Sequence, residues 1–212
     1  AALYRELAAE EARRAEMARL APFMGKWLWL LFWLIVPSSL ASIGSLEVIA
    51  AWSPGLYWGA TVLGLVCELC YGVILLRLSS EESYYKTAGI CCLVLTGINI
   101  AAPLFGSNNL LLPMLAIASS VFAVLRIYHE IQAHASVADG MNDELAMYWR
   151  SLWKWLLGAY LAVGGSFVLM LFSALLGTIV LICAAIVVLI ARIVELVLLY
   201  RTAKWFRDYP DE

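Results

Sequence analysis

An all-α bundle of six membrane-spanning helices is the fold this sequence predicts, and three observations predict it. Of the 212 residues, 64% are hydrophobic and only 14% are charged, where a soluble domain carries about a quarter charged. The apolar residues fall in runs of about 20, the length a helix needs to cross the hydrocarbon of a bilayer. Lys and Arg gather at one set of connections and are missing from the other, as in polytopic membrane proteins.

Residues 1–21 read as a helix of Ala, Leu, Glu and Arg, either cytosolic or lying on the membrane surface. Leu3 and Leu7 share a face, and Glu10 with Arg14 makes a favourable i,i+4 pair. This short amphipathic helix precedes a transmembrane domain over 22–200. The first span covers about 22–46. Trp27, Trp29 and Trp33 sit near its start, where tryptophan favours the headgroup level, and Pro37-Ser38-Ser39 predicts a kink. A turn at Ser53-Pro54-Gly55 leads into the second span, 56–78. The polar loop Ser79-Ser80-Glu81-Glu82-Ser83 precedes the third span, 85–104, which stops at Pro103. Gly106-Ser107-Asn108-Asn109 predicts a turn before the fourth span, 110–128.

Residues 129–150 are polar and contain an Asp139-Gly140 break. Asn142, followed by Asp143 and Glu144, has the pattern of a helix N-cap. The helix it starts should run into the fifth span, 152–175. Gly177 predicts the turn into the sixth, 178–200, and 201–212 is a polar tail.

Six spans place both termini and the loops near 79–86 and 129–151 on one side. All Lys and Arg except Arg192 belong to that side, whereas the loops near 47–55, 105–109 and 175–177 hold none. Cytoplasmic loops are the ones enriched in Lys and Arg, so both termini are expected in the cytoplasm. The charged opening residues argue against a cleaved signal peptide. The absence of an initiator Met suggests that the chain is trimmed at its start.

The spans arrive as three hairpins, two of which look alike. Lys26-Trp27-Leu28 is followed by Glu68, and Lys154-Trp155-Leu156 by Glu195, at nearly equal spacing. Tyr85-Lys86-Thr87-Ala88 is echoed by Tyr200-Arg201-Thr202-Ala203. Either the hairpins are repeats, as occurs in some transporters, or the fold is a simple meander of antiparallel helices.

Glu68, Arg192 and Glu195 form the candidate intramembrane polar centre. Glu68 and Arg192 each lie nine positions inward of a basic residue that marks a span end, Arg77 and Arg201, which is roughly 13 Å of helix. A charge at that depth costs about 2.5–3.5 kcal/mol to insert. Equal depth predicts a Glu68–Arg192 ion pair between helices, with Glu195 close enough to share the guanidinium. Such a centre serves either a substrate or proton site, or a purely structural lock between helices.

Helix packing is assigned to small residues: Gly158, Ala162 and Ser166 on span five, Gly97 and Ala101 on span three. Asn99 is expected to bond a neighbouring helix. Cys67, Cys70, Cys91, Cys92 and Cys183 all fall in apolar runs and read as small hydrophobes. Cys67 and Cys70 have CxxC spacing, but no second pair of ligands follows for zinc. His129-Glu130-Ile131-Gln132-Ala133-His134 is one residue too long for HExxH, so its histidines lie off a shared face. It reads as a solvated helix extension, with Glu130 and His134 as a weak alternative metal pair. No metal and no cofactor are called for.

The stretches Asp143-Glu144-Leu145, Trp149-Arg150-Ser151-Leu152-Trp153-Lys154-Trp155 and Tyr85-Lys86-Thr87-Ala88-Gly89 resemble small polytopic membrane proteins of clostridial-type bacteria. The resemblance covers about a quarter of the chain. It implies a bacterial inner-membrane setting and no particular activity. Size and span count are also similar to the substrate-binding subunits of energy-coupling vitamin transporters, but the first span is rich in Trp and Leu, where those carry an alanine-rich docking span.

A net charge of −2 and the lack of a basic patch exclude nucleic-acid binding. The spans carry no Ser–His, paired Asp or HExxH constellation, so an enzyme is not expected. The partners expected are the lipid bilayer, and then either a small-molecule or ion substrate of a transporter or channel subunit, or a membrane protein docked by a scaffold through its Trp-rich cytoplasmic face and 129–151.

Overall fold

The computed structural model describes residues 2–104, 111–139 and 142–209. The expected turn at 106–109, Gly140 of the expected break and the last residues of the tail lie outside the described residues. Among the described residues the chain is helical from end to end: α1 (Ala2–Gly44), the short α2 (Glu47–Trp52), α3 (Pro54–Leu78), α4 (Ser83–Ala101), α5 (Leu111–Ala138), α6 (Asp143–Phe172) and α7 (Ala174–Arg207), with one 3-10 turn at Ala102–Leu104. The six long helices are each long and apolar enough to cross a membrane. The chain is a multi-pass membrane protein built as an all-α bundle. Large apolar side chains such as Trp52, Leu171 and Phe172, each more than 80% exposed, have lipid as their natural surroundings.

The amphipathic helix expected before the first span is continuous with it. Residues of α1 up to Glu16 are exposed where described. From Met17 a buried stripe of Met17, Leu20, Ala21, Met24, Leu28 and Leu31 faces the core, at the three- and four-residue spacing of one helix face. At about 1.5 Å per residue α1 is roughly 65 Å long, twice the hydrocarbon thickness of about 30 Å. Its first turns therefore stand beyond the membrane. The helix continues through Pro37, where Ser42 Oγ donates to the Ser38 carbonyl at 3.0 Å.

Local signals fix several boundaries. Asn142 caps α6, accepting from the Leu145 N–H at 3.1 Å. Pro54 opens α3 at a position where its missing N–H costs nothing. The α6–α7 reversal falls at Ser173, four residues before the expected Gly177. Ser173 is extended and its hydroxyl accepts from the Leu176 N–H at 3.4 Å. Gly177 then lets α7 return against α6, because a Cβ there would lie 2.8 Å from the Ser166 carbonyl oxygen.

Each long helix packs on its neighbour in sequence, and α7 returns to α1, so the helices close into a ring. The core fills one half of that ring. Besides the α1 stripe it contains Leu75, Leu78, Tyr85, Ile131, Trp149, Leu156, Leu199 and Phe206, all nearly inaccessible. This is the half toward which the basic residues lie. At its outer end Arg19 meets Glu81 at 2.9 Å, Arg150 meets Asp139 at 2.5 Å and Ser136 donates to Glu82 at 2.7 Å.

The largest departure from expectation is at α5. The polar stretch after residue 128 was expected as a solvated extension, but the helix runs on to Ala138, and Ile131, Ala133, His134, Ala135, Val137 and Ala138 are buried. Alternating small residues there let α5 sink between its neighbours.

Close helix contact falls at glycines other than those expected. A Cβ on Gly89 would sit 2.9 Å from Leu76 and 3.1 Å from the Gly72 carbonyl, and one on Gly25 would sit 3.1 Å from the Arg207 backbone. By contrast, a Cβ on Gly97 or Gly158 would meet nothing within 4 Å. Both face outward, and Gly158 with Ala162 lines an open groove along the α6–α7 seam. Ala101 is half-buried and Ser166 is buried, its hydroxyl donating to the Val163 carbonyl at 2.6 Å. Two substitutions on α4 test this division. Gly89→Val should cost about 1–3 kcal/mol by overpacking, while Gly97→Val should leave stability near wild type. Thermal denaturation of the detergent-purified protein distinguishes them.

Candidate functional site

Between α1, α3, α5 and α7 lies a half-open cavity of about 510 Å³. Its wall carries a cluster of polar groups among apolar ones such as Ile35, Ile193 and Leu196. Ser38, Ser39 and Ser42 come from α1, Cys67, Glu68 and Tyr71 from α3, Arg126 from α5, and Arg192 and Glu195 from α7. The three residues expected to form the polar centre, Glu68, Arg192 and Glu195, therefore border one cavity.

Their pairing differs from the expectation. Arg192 Nη1 bonds Glu195 Oε2 at 2.8 Å, and Nη2 bonds the Tyr160 hydroxyl of α6 at 3.2 Å. Glu68 instead accepts two long hydrogen bonds, from Thr96 Oγ1 and Asn99 Nδ2 of α4, each at 3.4 Å. Equal depth put Glu68 and Arg192 at one level, but a carboxylate three residues along the same helix meets the guanidinium at lower entropic cost than one across the bundle. Glu68 is thus a carboxylate at the cavity held by neutral donors.

Arg126 is the site residue that the sequence analysis misplaced. It was counted with the basic residues of the cytoplasmic side, but with α5 continuing to Ala138 it borders the cavity. Its guanidinium lies 5.7 Å from the centre of the Tyr71 ring, and Nη1 reaches Cys92 Sγ at 3.9 Å. Its Nε is buried and has no hydrogen-bond partner among the described residues.

Behind Tyr71 lies a second polar group that was expected in solvent. The Tyr71 hydroxyl donates to Glu130 Oε1. His134, one turn further along α5, has Nε2 4.0 Å from the same carboxylate oxygen and Nδ1 2.8 Å from the Tyr85 hydroxyl. Trp149 stacks on its ring at 4.4 Å, and the Trp149 indole N–H donates to Thr202 Oγ1 at 3.1 Å. The partners of Glu130 and His134 in the bundle are thus phenols and an indole. Among the described residues no group of three His, Cys, Asp or Glu side chains could hold a metal ion. The signal that would have revealed this group is the spacing Arg126, Glu130, His134, which places three titratable side chains on one stripe of α5.

Comparison with known proteins returned no matching family model and no significant match to a curated protein or a solved structure.

The pairing at the cavity is open to a double-mutant test. Exchanging the charges of Arg192 and Glu195 together should recover most of the stability lost in either single reversal, a coupling of about 1–3 kcal/mol. Exchanging Glu68 and Arg192 should recover none. Unfolding midpoints of the five variants and the wild type give both coupling energies.

Proposed function

We propose that the chain is a small transporter or channel subunit of a bacterial cytoplasmic membrane, with both termini in the cytoplasm and a small polar solute held in the cavity. One observation carries this reading: a cavity of about 510 Å³ among four helices with hydroxyl, carboxylate and guanidinium groups in its wall. Polar groups inside a membrane bundle are costly unless they pair with one another or line a water-filled path. Here Arg192 and Glu195 are paired, while Glu68 is held only by long bonds and Arg126 leaves Nε unbonded. Arg126 borders the cavity, and a guanidinium there suits a solute that carries an acceptor oxygen. The Lys and Arg asymmetry supports the orientation, and the resemblance to clostridial-type proteins supports the bacterial setting. No step of this reading makes or breaks a covalent bond, so no enzymatic activity is proposed.

The alternative, a scaffold docking a partner through its Trp-rich face and 129–151, has less surface to use. Trp149 and most of 131–138 are buried within the bundle, and Trp27 and Trp29 pack against the core. Cysteine accessibility separates the two. In a background without native cysteines, Ser39→Cys and Ser42→Cys should react with a membrane-impermeant maleimide from at least one side. Leu40→Cys, on the lipid-facing side, should not. Failure of both serine positions to react from either side would mean a dry cavity and return the weight to the scaffold.

A further inference from the structure

The buried group behind the cavity has a composition that packing alone does not require. Glu130 and His134 are each no more than 3% exposed, in a bundle where an apolar pair would fill the same volume without desolvating a carboxylate. Glu130 is not part of the cavity wall, but Tyr71 is, and the Tyr71 hydroxyl donates directly to Glu130. A phenol therefore stands between a sealed carboxylate and the cavity. On the far side, His134 is held in one orientation by Trp149 stacked on its face and Tyr85 set edge-on at 5.4 Å.

From this geometry we propose that Glu130 is a proton-binding site of the transporter, exchanging its proton with cavity water through the Tyr71 hydroxyl; the proposal rests on the transport reading above. The exchange balances without any other reactant. A hydronium ion in the cavity gives a proton to the Tyr71 oxygen as the phenol's own hydrogen passes to Glu130 Oε1. The carboxylate becomes a carboxylic acid, water is left behind, and Tyr71 ends as it began. Release is the reverse.

The surroundings make the proton consequential for a solute. The titratable and charged groups facing Glu130 are Tyr71 from α3, Tyr85 and Cys92 from α4, Arg126 and His134 from α5, and Arg192 and Glu195 from α7. The α6 contribution to the group is the uncharged Trp149. Arg192 is already matched by Glu195. Arg126 lies one turn from Glu130 on the same face, so an ionised Glu130 offsets its charge and a protonated one does not. Proton uptake thus adds one positive charge beside the cavity and favours an anionic solute there. By linkage, binding such a solute favours the proton equally. The pair would travel together.

Infrared difference spectroscopy of the full chain in proteoliposomes tests the site without knowing the solute. The wild type should show a carboxylic-acid C=O band that grows as bulk pH falls. That band should vanish in Glu130→Gln, shift in frequency in Glu130→Asp and persist in Glu195→Gln. Tyr71→Phe should slow its rise after a pH jump. If Glu130→Gln does not fold, the Glu130→Asp shift decides the assignment. A wild type with no pH-dependent carboxyl band, or a band untouched by either Glu130 substitution, overturns the proposal. Maleimide labelling at Ser42→Cys in parallel membranes keeps the two readings apart: labelling without a Glu130 band leaves the cavity reading standing, and absence of both removes both.

Discussion

Three titratable residues at four-residue intervals on α5, namely Arg126, Glu130 and His134, set the terms on which the rest of the bundle packs. Sealing such groups from water costs several kcal/mol each unless partners are supplied. No two neighbouring helices can supply them all. α3 brings Tyr71 under Glu130, α4 brings Tyr85 to His134 and Cys92 to Arg126, and α6 brings Trp149 onto the imidazole. α7 closes the set by accepting the Trp149 N–H on Thr202, whose own hydroxyl donates to the Leu198 carbonyl at 2.7 Å. Each bond fixes the height of one helix against α5. A slip of one residue, about 1.5 Å, would break several together, so the polar stripe specifies register more sharply than apolar packing in lipid can.

That constraint explains why the bundle is tight in one half and loose in the other. Lipid tails are as apolar as Leu, so no hydrophobic force draws the helices together within the membrane. Where the polar group demands contact, glycine makes it available: Gly72 against Gly89 between α3 and α4, and Gly25 against the end of α7. Beyond the cavity close approach persists at Gly44 against Ala60 and at Gly177 against Ser166, but other glycines there stand clear of any neighbour. Gly59, Gly97, Gly158, Gly164 and Gly165 would all accept a Cβ without meeting another atom within 4 Å.

The transmembrane architecture was legible because it rests on signals that are additive along the chain. Apolar runs give the spans, and Asn142 caps α6 as its pattern indicated. The site was legible only in part. Glu68, Arg192 and Glu195 stand out because they are isolated charges in apolar runs, and the structure sets them around one cavity. Arg126, Glu130 and His134 were hidden because they cluster near a span end, where charge is ordinary. Their burial depends on Tyr71, Tyr85 and Trp149, distant in sequence and individually unremarked. Pairing was equally beyond a reading by depth, since Arg192 took the nearer Glu195. Small-residue spacing misled for a related reason: it marks a face that permits close approach, not one that another helix occupies.

The distribution of charge across the hairpins carries the argument one step further. The second helix of each hairpin, α3, α5 and α7, supplies the ionisable residues: Glu68, then Arg126 with Glu130 and His134, then Arg192 with Glu195. The first helices, α4 and α6, supply neutral partners: Thr96 and Asn99 for Glu68, Cys92 for Arg126, Tyr85 and Trp149 for His134, Tyr160 for Arg192. α1 adds only serines to the cavity wall. A hydroxyl, thiol or amide stabilises a charge without cancelling it, whereas an opposing charge from a facing helix would do both. Apart from the Arg192–Glu195 pair and Arg126 with Glu130 on α5, Glu68 is therefore held in place without an opposing charge. A bundle locked purely for stability would gain nothing from that arrangement, because each uncancelled charge retains much of its desolvation cost. The transport reading proposed above gives that arrangement a use: a charged species can be bound there and then released.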